Sequence, residues 1–282
     1  MPRLLLTGAS GYVGGRVVEH APADWEVHAQ WRSRQPPPGA RPHRLDLADG
    51  AAFAALLRQT RPDVVLHAAY DMAAGGEPNL LWSGNVFAAT RATGTQLVFM
   101  STDLVFDGRR GWYREDEPTN PTLEYGVWKA QMEREALDQG GIVVRTSLVW
   151  GLEPVADSVE KLVLQPLRSG QTPRLFEDEW RTPTEVHDLA AALLQACQLR
   201  ERCVLHFSGP ERISRLELGR LIARHHGFDP ALLPPFRRAE IAPNRPADTS
   251  LAITELTRDR VDTPFRGPSE LLGGNAERRT SS

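Results

Sequence analysis

Apolar runs alternate with helix-like segments along the first 150 residues of the chain. The runs predict six strands, five of them buried or alternating over their length and one short. These strands read RLLLTG, WEVHAQW, HRLDLAD, PDVVLHAA, TQLVFMST and GIVVRTSLVWG. Helices are predicted between them at Tyr12–His20, at GAAFAALLRQT after a capping Asp49, at NLLWSGNVFAATRA and from about Tyr125. Strands that alternate with helices predict an α/β fold with a parallel sheet covered on both faces.

The pattern becomes less regular after Gly151. We predict helices at VEKLVLQPLRSG and TEVHDLAAALLQACQL and a third, SRLELGRLIARHHG, that begins at Ser214. Strands are predicted at CVLHFSG and at TPRLFED. This half is expected to form a smaller lobe that shares elements with the first. The polar end of the chain, residues 270–282, is expected to be a disordered tail.

Composition and charge exclude several classes of function. The chain has 282 residues, and its 36 acidic and 33 basic side chains give a net charge of −3. This balance argues against binding to nucleic acid or to an anionic membrane surface. Cys197 and Cys203 form no metal-ligand pattern, so no metal site is predicted. No apolar run approaches eighteen residues, and we expect a cytoplasmic protein.

A glycine-rich segment, TGASGYVGG, lies between the first strand and the first helix. Gly8, Gly11 and Gly14 form a G-x-x-G-x-x-G pattern. Such glycines let the backbone approach a pyrophosphate at the positive end of a helix. A purely structural turn is the alternative, but the position after a strand and before a helix favours a dinucleotide. The predicted contacts are Gly8, Ser10, Gly11, Tyr12, Val13 and Gly14.

The end of the second strand indicates which dinucleotide is bound. The stretch WRSRQ contains Arg32, Ser33 and Arg34 and no carboxylate. A guanidinium suits a 2′-phosphate, so NADP(H) is favoured and NAD(H) is the alternative. Arginines that only solvate a loop would give the same pattern. Asp46 either accepts a hydrogen bond from the adenine amino group or caps a turn.

Eight segments together resemble one family. In order along the chain they are TGASGYVG, LDLAD, VVLHAA, MSTDLVFDG, YGVWKAQME, VVRTSLVWG, RTPTEVHDLA and RPADTSL. They resemble the extended short-chain dehydrogenases/reductases, and among these the dTDP-4-dehydrorhamnose reductases of dTDP-rhamnose synthesis. The resemblance extends to about residue 260. It implies a Rossmann-like, doubly wound sheet with a smaller, discontinuous C-terminal substrate-binding lobe.

The resemblance also implies domain bounds. Residues 1–150 would form the NADP(H)-binding domain, completed by elements around 173–200. Residues 151–265 would form most of the substrate-binding lobe. Leu47, Ala68, Ala69 and Tyr70 would join the residues that bind the cofactor.

Catalytic and substrate-binding residues follow from the same resemblance. Thr102, Tyr125 and Lys129 take the positions of the catalytic Ser/Thr, the acid and its partner, and Lys129 would also hold the nicotinamide ribose. Asp103 belongs to the Ser-Thr-Asp signature. The family's active-site Asn corresponds to Asn79, with Asn85 as the alternative. The implied substrate-binding residues are Leu148, Trp150, Arg181 and Arg245.

The expected reaction is reduction of a sugar C4 ketone, with Tyr125 donating the proton. Lys129, one helical turn away, and the positive charge of the oxidised nicotinamide are expected to lower the pKa of the phenol. Leu148 stands where the rhamnose-synthesis reductases have Trp, so the particular sugar is left open. An epimerase or dehydratase of the same fold is one alternative. A regulatory subunit resembling the methionine adenosyltransferase beta subunit is another. The expected partner is a nucleotide-sugar substrate, and a homodimer is compatible with the family.

Overall fold

The computed structural model describes residues 1–152 and 159–273. Its strands are β1 (Arg3–Thr7), β2 (Glu26–Trp31), β3 (Arg41–Arg44), β4 (Val64–His67), β5 (Gln96–Thr102), β6 (Ile142–Thr146), β7 (Val149–Trp150), β8 (Trp180–Arg181), β9 (Thr184–Glu185), β10 (Cys203–Phe207) and β11 (Ile213–Ser214). Its helices are α1 (Tyr12–His20), α2 (Gly50–Thr60), α3 (Gly76–Thr93), α4 (Glu124–Asp138), α5 (Val159–Arg168), α6 (Val186–Ala196), α7 (Arg215–His225), α8 (Arg238–Ile241), α9 (Glu255–Arg258) and α10 (Pro268–Gly273).

Seven strands form the central sheet, in the order β10-β6-β5-β4-β1-β2-β3. Every pair of neighbours is parallel. The chain proceeds from β1 to β2 and β3 on one side and then returns to β4 on the other. This reversal between β1 and β4 is a topological switch point, where ligands bind at the carboxyl edge of such sheets. The predicted doubly wound parallel sheet is therefore confirmed.

Apolar side chains on both faces of the strands explain the two layers of helices. Leu4 and Leu6 of β1 face a core shared with α1 and α6, whereas Leu5 faces a core shared with α2, α3 and α4. Successive side chains of a strand point to opposite faces, so one continuous apolar run serves both layers. Asp49 caps α2 through its side chain, as predicted.

The second half of the chain contributes to both parts of the molecule. Helix α6 packs on α1, and β10 pairs with β6 from Cys203↔Ile142 onward. A separate core joins Trp150 to α5, α7 and α10 and forms the smaller lobe. Ser214 caps α7: its hydroxyl accepts from the Glu217 amide, and its own amide donates to the Glu217 carboxylate. This agrees with the predicted start of that helix.

Three local predictions were wrong. GIVVRTSLVWG is not one strand, because β5 and β10 both end opposite Thr146; β7 then pairs with β9 instead. TPRLFED forms only an isolated bridge at Phe176. The predicted disordered tail begins too early, since residues 270–273 belong to α10 and Leu272 is buried. Residues 274–282 lie outside the described part.

No helix in the described part is long and apolar enough to cross a membrane.

Candidate active site

The glycine loop is as tight as its sequence predicts. Gly8 has a φ of +71°, and the Gly11 amide donates to the Gly8 carbonyl at 2.9 Å. A Cβ atom on Gly14 would lie 2.2 Å from that carbonyl oxygen, and one on Gly8 would lie 2.7 Å from the Cα of Ala69. Helix α1 starts directly after this loop without a side-chain cap. Its first amide groups are therefore available for an anion, as a pyrophosphate requires.

A cleft of about 510 Å³ opens along this loop and the carboxyl edge of the sheet. Its lining contains the predicted residues Gly8, Ser10, Gly11, Arg32, Ser33, Asp46, Leu47, Ala68, Ala69 and Tyr70. Tyr12 and Val13 begin α1 instead. Val13 packs against the core, and Tyr12 reaches Gly151, where a Cβ atom would lie 2.6 Å from its hydroxyl. The residues fit a dinucleotide along the cleft.

The sequence did not indicate four of the residues that line the cleft, namely Gln30, Trp31, Asp71 and Trp82. Gln30 accepts from the Gly8 amide at 3.1 Å and donates to the Leu45 carbonyl at 2.6 Å. It thereby ties the glycine loop to the segment after β3. Its position in β2, two residues before Arg32, was the available signal.

The two arginines that are expected to select the cofactor, Arg32 and Arg34, line the cleft and bind other residues of its wall. Arg32 donates to Asp71 at 2.9 Å and lies over the Trp82 ring, and Arg34 donates to the Ser10 carbonyl. Asp46 accepts from the Ala48 amide at 2.9 Å, so it caps a turn while also lining the cleft.

The last three residues of β5 each contact helix α4. The Lys129 side-chain nitrogen donates to the Met100 carbonyl at 2.9 Å, Ser101 donates to the Glu133 carboxylate, and the Thr102 side chain lies beside Tyr125. Tyr125, Lys129 and Glu133 are spaced four residues apart, so they lie on one face of the helix. We call these three contacts the β5–α4 ladder.

Burial dominates the titration of the Tyr/Lys pair. It raises the pKa of the Tyr125 phenol above its ordinary value, with Tyr70 adding to the shift and the Thr102 hydrogen bond opposing it. It lowers the pKa of Lys129 to about 7, opposed by Glu133. Without a bound cofactor, both groups are therefore driven toward their neutral forms. The lowering of the phenol's pKa by Lys129 and the oxidised nicotinamide stays a prediction.

Asp103 joins the two halves of the molecule. Its carboxylate accepts from Ser147 at 2.7 Å and from Thr249 at 2.8 Å, and Arg181 lies 3.5 Å away. It also accepts from Thr102 at 3.2 Å. Asp103 is buried, and these contacts hold its carboxylate next to Thr102.

A buried ion pair supports the ladder from behind. Arg145 of β6 donates to both oxygens of Glu133, the shortest contact being 2.8 Å. Its guanidinium also lies over the Phe106 ring, 5.0 Å from the ring centroid. Because both charges are buried, losing either one would leave the other unpaired.

The side chains of Asn79 and Asn85 each form hydrogen bonds with the backbone of a loop beside the cleft. The Asn79 side chain accepts from the Asp71 amide at 3.0 Å and donates to the Asp71 carbonyl at 2.8 Å. Asn85 donates to the Leu47 carbonyl at 2.8 Å. Each asparagine therefore shapes one wall of the cleft, and the choice of Asn79 stays a prediction.

The four predicted substrate-binding residues separate into two groups. Arg181 and Arg245 converge on one carboxylate, Glu179, at 2.8 and 3.0 Å. Trp150 is fully buried in the core of the smaller lobe, and Leu148 packs against that core. Trp150 therefore packs inside this core and does not face open space. No cluster suited to a metal ion occurs among the described residues.

A doubly wound sheet with this glycine loop, and with a strand-end Thr beside a Tyr-x-x-x-Lys pair on the next helix, defines an extended short-chain dehydrogenase/reductase. Within that class the chain belongs to the RmlD substrate binding domain family, whose sequence model matches residues 2–266.

Known proteins of two kinds are similar to it in sequence. A dTDP-4-keto-6-deoxy-D-glucose reductase of Streptomyces niveus is 30% identical over 94% of this chain and 93% of its own. Methionine adenosyltransferase 2 subunit beta of Xenopus tropicalis is 29% identical over 94% of this chain and 85% of its own.

Solved structures share the fold. A hypothetical dTDP-4-dehydrorhamnose reductase from Sulfolobus tokodaii superposes with a TM-score of 0.78 at 28% identity, covering 94% of this chain and 96% of its own. The dTDP-4-dehydrorhamnose reductase of Bacillus anthracis, solved in complex with NADP, gives 0.80 at 21% identity, covering 96% and 97%.

Proposed function

We propose that the protein is an NADP(H)-dependent reductase of a nucleotide-linked 4-keto sugar. The observation that carries this proposal is the proximity of Thr102 to Tyr125 at the carboxyl edge of the sheet, where Thr102 lies close enough to influence the pKa of the phenol. Lys129 lies on the same helix face, and the glycine loop lies at the same sheet edge. Hydroxyls that meet there are suited to a carbonyl oxygen placed beside a bound dinucleotide.

NADP(H) is proposed as the cofactor, with NAD(H) as the alternative. The α1 amide groups and Ser10 would hold the pyrophosphate, and Arg32 and Arg34 would meet the 2′-phosphate. Arg32 would exchange its exposed ion pair with Asp71 for this contact. When bound, the dinucleotide supplies the hydride.

The chain's own residues would supply the proton and the orientation. Thr102 would hold the carbonyl oxygen through its hydroxyl while Tyr125 donates a proton to it. Because burial raises the pKa of Tyr125, the phenol is protonated at neutral pH and suits the reductive direction. The β5–α4 ladder would keep Tyr125 in register with Thr102. Asp103 is engaged by Ser147, Thr249 and Arg181, which disfavours its use as the acid of a dehydratase.

Turnover of NADPH with dTDP-linked and UDP-linked 4-keto sugars tests this function. Tyr125→Phe should reduce kcat by at least about a hundredfold, the value of a positioned general acid, while the NADPH dissociation constant changes little. Full turnover in Tyr125→Phe would refute the assignment of Tyr125. Absence of NADPH oxidation by the wild-type protein with every sugar would refute the reductase itself.

A second candidate function is that of a regulatory subunit. It is favoured by the identity of 29% to the Xenopus tropicalis methionine adenosyltransferase beta subunit. Co-purification with a catalytic methionine adenosyltransferase subunit, without NADPH oxidation, would support this candidate. Turnover of a 4-keto sugar without such association would support the reductase. The cytoplasmic location and the homodimer stay predictions.

A further inference from the structure

Glu179 lies at the centre of three guanidinium groups. Arg245 binds it with two hydrogen bonds of 3.0 Å, and Arg181 donates to it at 2.8 Å. Arg215, the first residue of α7, lies 3.7 Å from the same carboxylate. Glu179 and Arg215 were not among the residues that the sequence indicated. The cluster assembles because β8 and α7 meet through the pairing of β8 with β11.

Positive charge is in excess in this cluster. With Asp103, which contacts Arg181, the group contains three arginines and two carboxylates. Burial alone raises the pKa of Glu179, but the Arg245 hydrogen bond and the charges of Arg181 and Arg215 outweigh it and hold that pKa below its ordinary value. Glu179 is therefore ionised at neutral pH, and one positive charge remains uncompensated.

Exposure increases in a regular order from the carboxylate outward. The Glu179 side chain is 0% exposed and Arg181 3%, whereas Arg215 is 18% and Arg245 36% exposed. An anion that arrives from solvent would therefore meet Arg245 and Arg215 first. It would compete with Glu179 for the same donors.

The cluster is connected to the reacting end of the site. Thr102 contacts Asp103, Asp103 contacts Arg181, and Arg181 contacts Glu179. A ligand with a carbonyl at Tyr125 and an anionic group a few side chains away would extend along this path. A sugar joined to a diphosphate has that form.

We propose that Glu179 is an internal counter-ion that occupies the arginines until a diphosphate displaces it, and that Arg215 completes the diphosphate site with Arg181 and Arg245. The inference rests on the proposed nucleotide-sugar substrate and deepens it. A diphosphate offers more charge and more acceptor oxygens than one carboxylate, so it can displace Glu179. A monoanion cannot do so as readily. Glu179 would thus set a threshold that favours diphosphates over weaker anions.

Titrations with dTDP and with inorganic pyrophosphate, in saturating NADP⁺, test this inference. The NADP⁺ fills the glycine loop, so that the added anion reports on the second site. Glu179→Gln should bind both ligands about tenfold more tightly than the wild type, which corresponds to about 1.4 kcal/mol. Glu177→Gln is the matched control, because it removes one negative charge from an exposed pair with Arg237 in the same segment. It should leave both dissociation constants unchanged.

A second measurement separates ligand binding from any loss of stability in Glu179→Gln. Each protein's melting temperature is compared with and without pyrophosphate, so that every variant is its own reference. The ligand-induced increase should be larger in Glu179→Gln than in the wild type, and Arg215→Gln should reduce it. Equal or weaker binding by Glu179→Gln, with measurable binding by the wild type, would overturn the counter-ion role alone. Failure of all proteins to bind dTDP would overturn the proposed substrate class as well.

Discussion

Lys129 should make the free energy of unfolding increase with pH above about pH 7, and Lys129→Met should remove this increase. Burial lowers its pKa from 10.5 to about 7 in the folded state. Between these values the unfolded chain binds a proton that the folded protein does not, so the free energy of unfolding should rise with pH. Below about pH 7 the folded protein also carries the charge, and this rise should disappear.

The two pKa values give the size of the effect. From pH 7 to pH 8.5 the contribution of Lys129 should increase the free energy of unfolding by about 1.5 kcal/mol. Higher pH is avoided because burial raises the pKa values of Tyr70 and Cys203 to about 12 and about 11, and these groups then act in the opposite direction.

Urea unfolding at pH 7.0, 7.5, 8.0 and 8.5 would measure the slope for the wild type and for Lys129→Met. The wild-type free energy should rise by about 1.5 kcal/mol more than that of the variant over this interval. Arg134→Met, which removes an exposed basic side chain of α4, is the control and should follow the wild type. Parallel lines for the wild type and Lys129→Met would refute the lowered pKa.

Three further outcomes are expected. Gly14→Ala should abolish measurable NADPH binding in calorimetry while circular dichroism stays native, because its Cβ would lie 2.2 Å from the Gly8 carbonyl oxygen; retained binding would contradict the loop assignment. Arg32→Ala should weaken NADPH by about tenfold or more relative to NADH, the value of one charge-assisted hydrogen bond, and an equal effect on both would contradict the 2′-phosphate contact. Glu133→Gln should lower the free energy of unfolding by about 3 kcal/mol in urea titration, since Arg145 is left buried and unpaired; a change below about 0.5 kcal/mol would contradict the ion pair's structural role.

The sequence predicted the parts of the site that depend on short segments. Thr102 belongs to a three-residue signature at a strand end, Tyr125 and Lys129 are spaced four residues apart on one helix, and the glycine loop is continuous in sequence. Helix geometry places Tyr125 and Lys129 on one face, whereas the pairing of Thr102 with Tyr125 was implied by the family resemblance. The central sheet was predicted for the same reason, because five of its first six strands are distinct apolar or alternating runs; β3, with the polar sequence Arg41–Arg44, is the exception.

The features of the site that the sequence could not predict arise where segments far apart in the sequence pack together. Glu179 meets Arg215 because β8 pairs with β11 at the start of α7, and it meets Arg245 because the segment that follows Arg245 is hydrogen-bonded to Trp180. No local pattern records either meeting. Trp150 could face a cleft or a core, and its burial was decided by α5 and α7. The pKa shifts of Tyr125 and Lys129 in the ligand-free protein are dominated by burial, which the spacing of the two residues does not show.

The pairing of β10 with β6 has a consequence for folding during synthesis. Strand β6 is complete at Thr146, but its outer neighbour ends only at Phe207. Some 60 residues must therefore be translated while one edge of a nascent sheet is bare, which takes about 3 to 12 s at ribosomal speeds. A bare edge strand is a template for pairing with other chains. Ribosome pausing that leaves β6 outside the exit tunnel and β10 still inside it should therefore favour aggregation, and pausing after both strands have emerged should not.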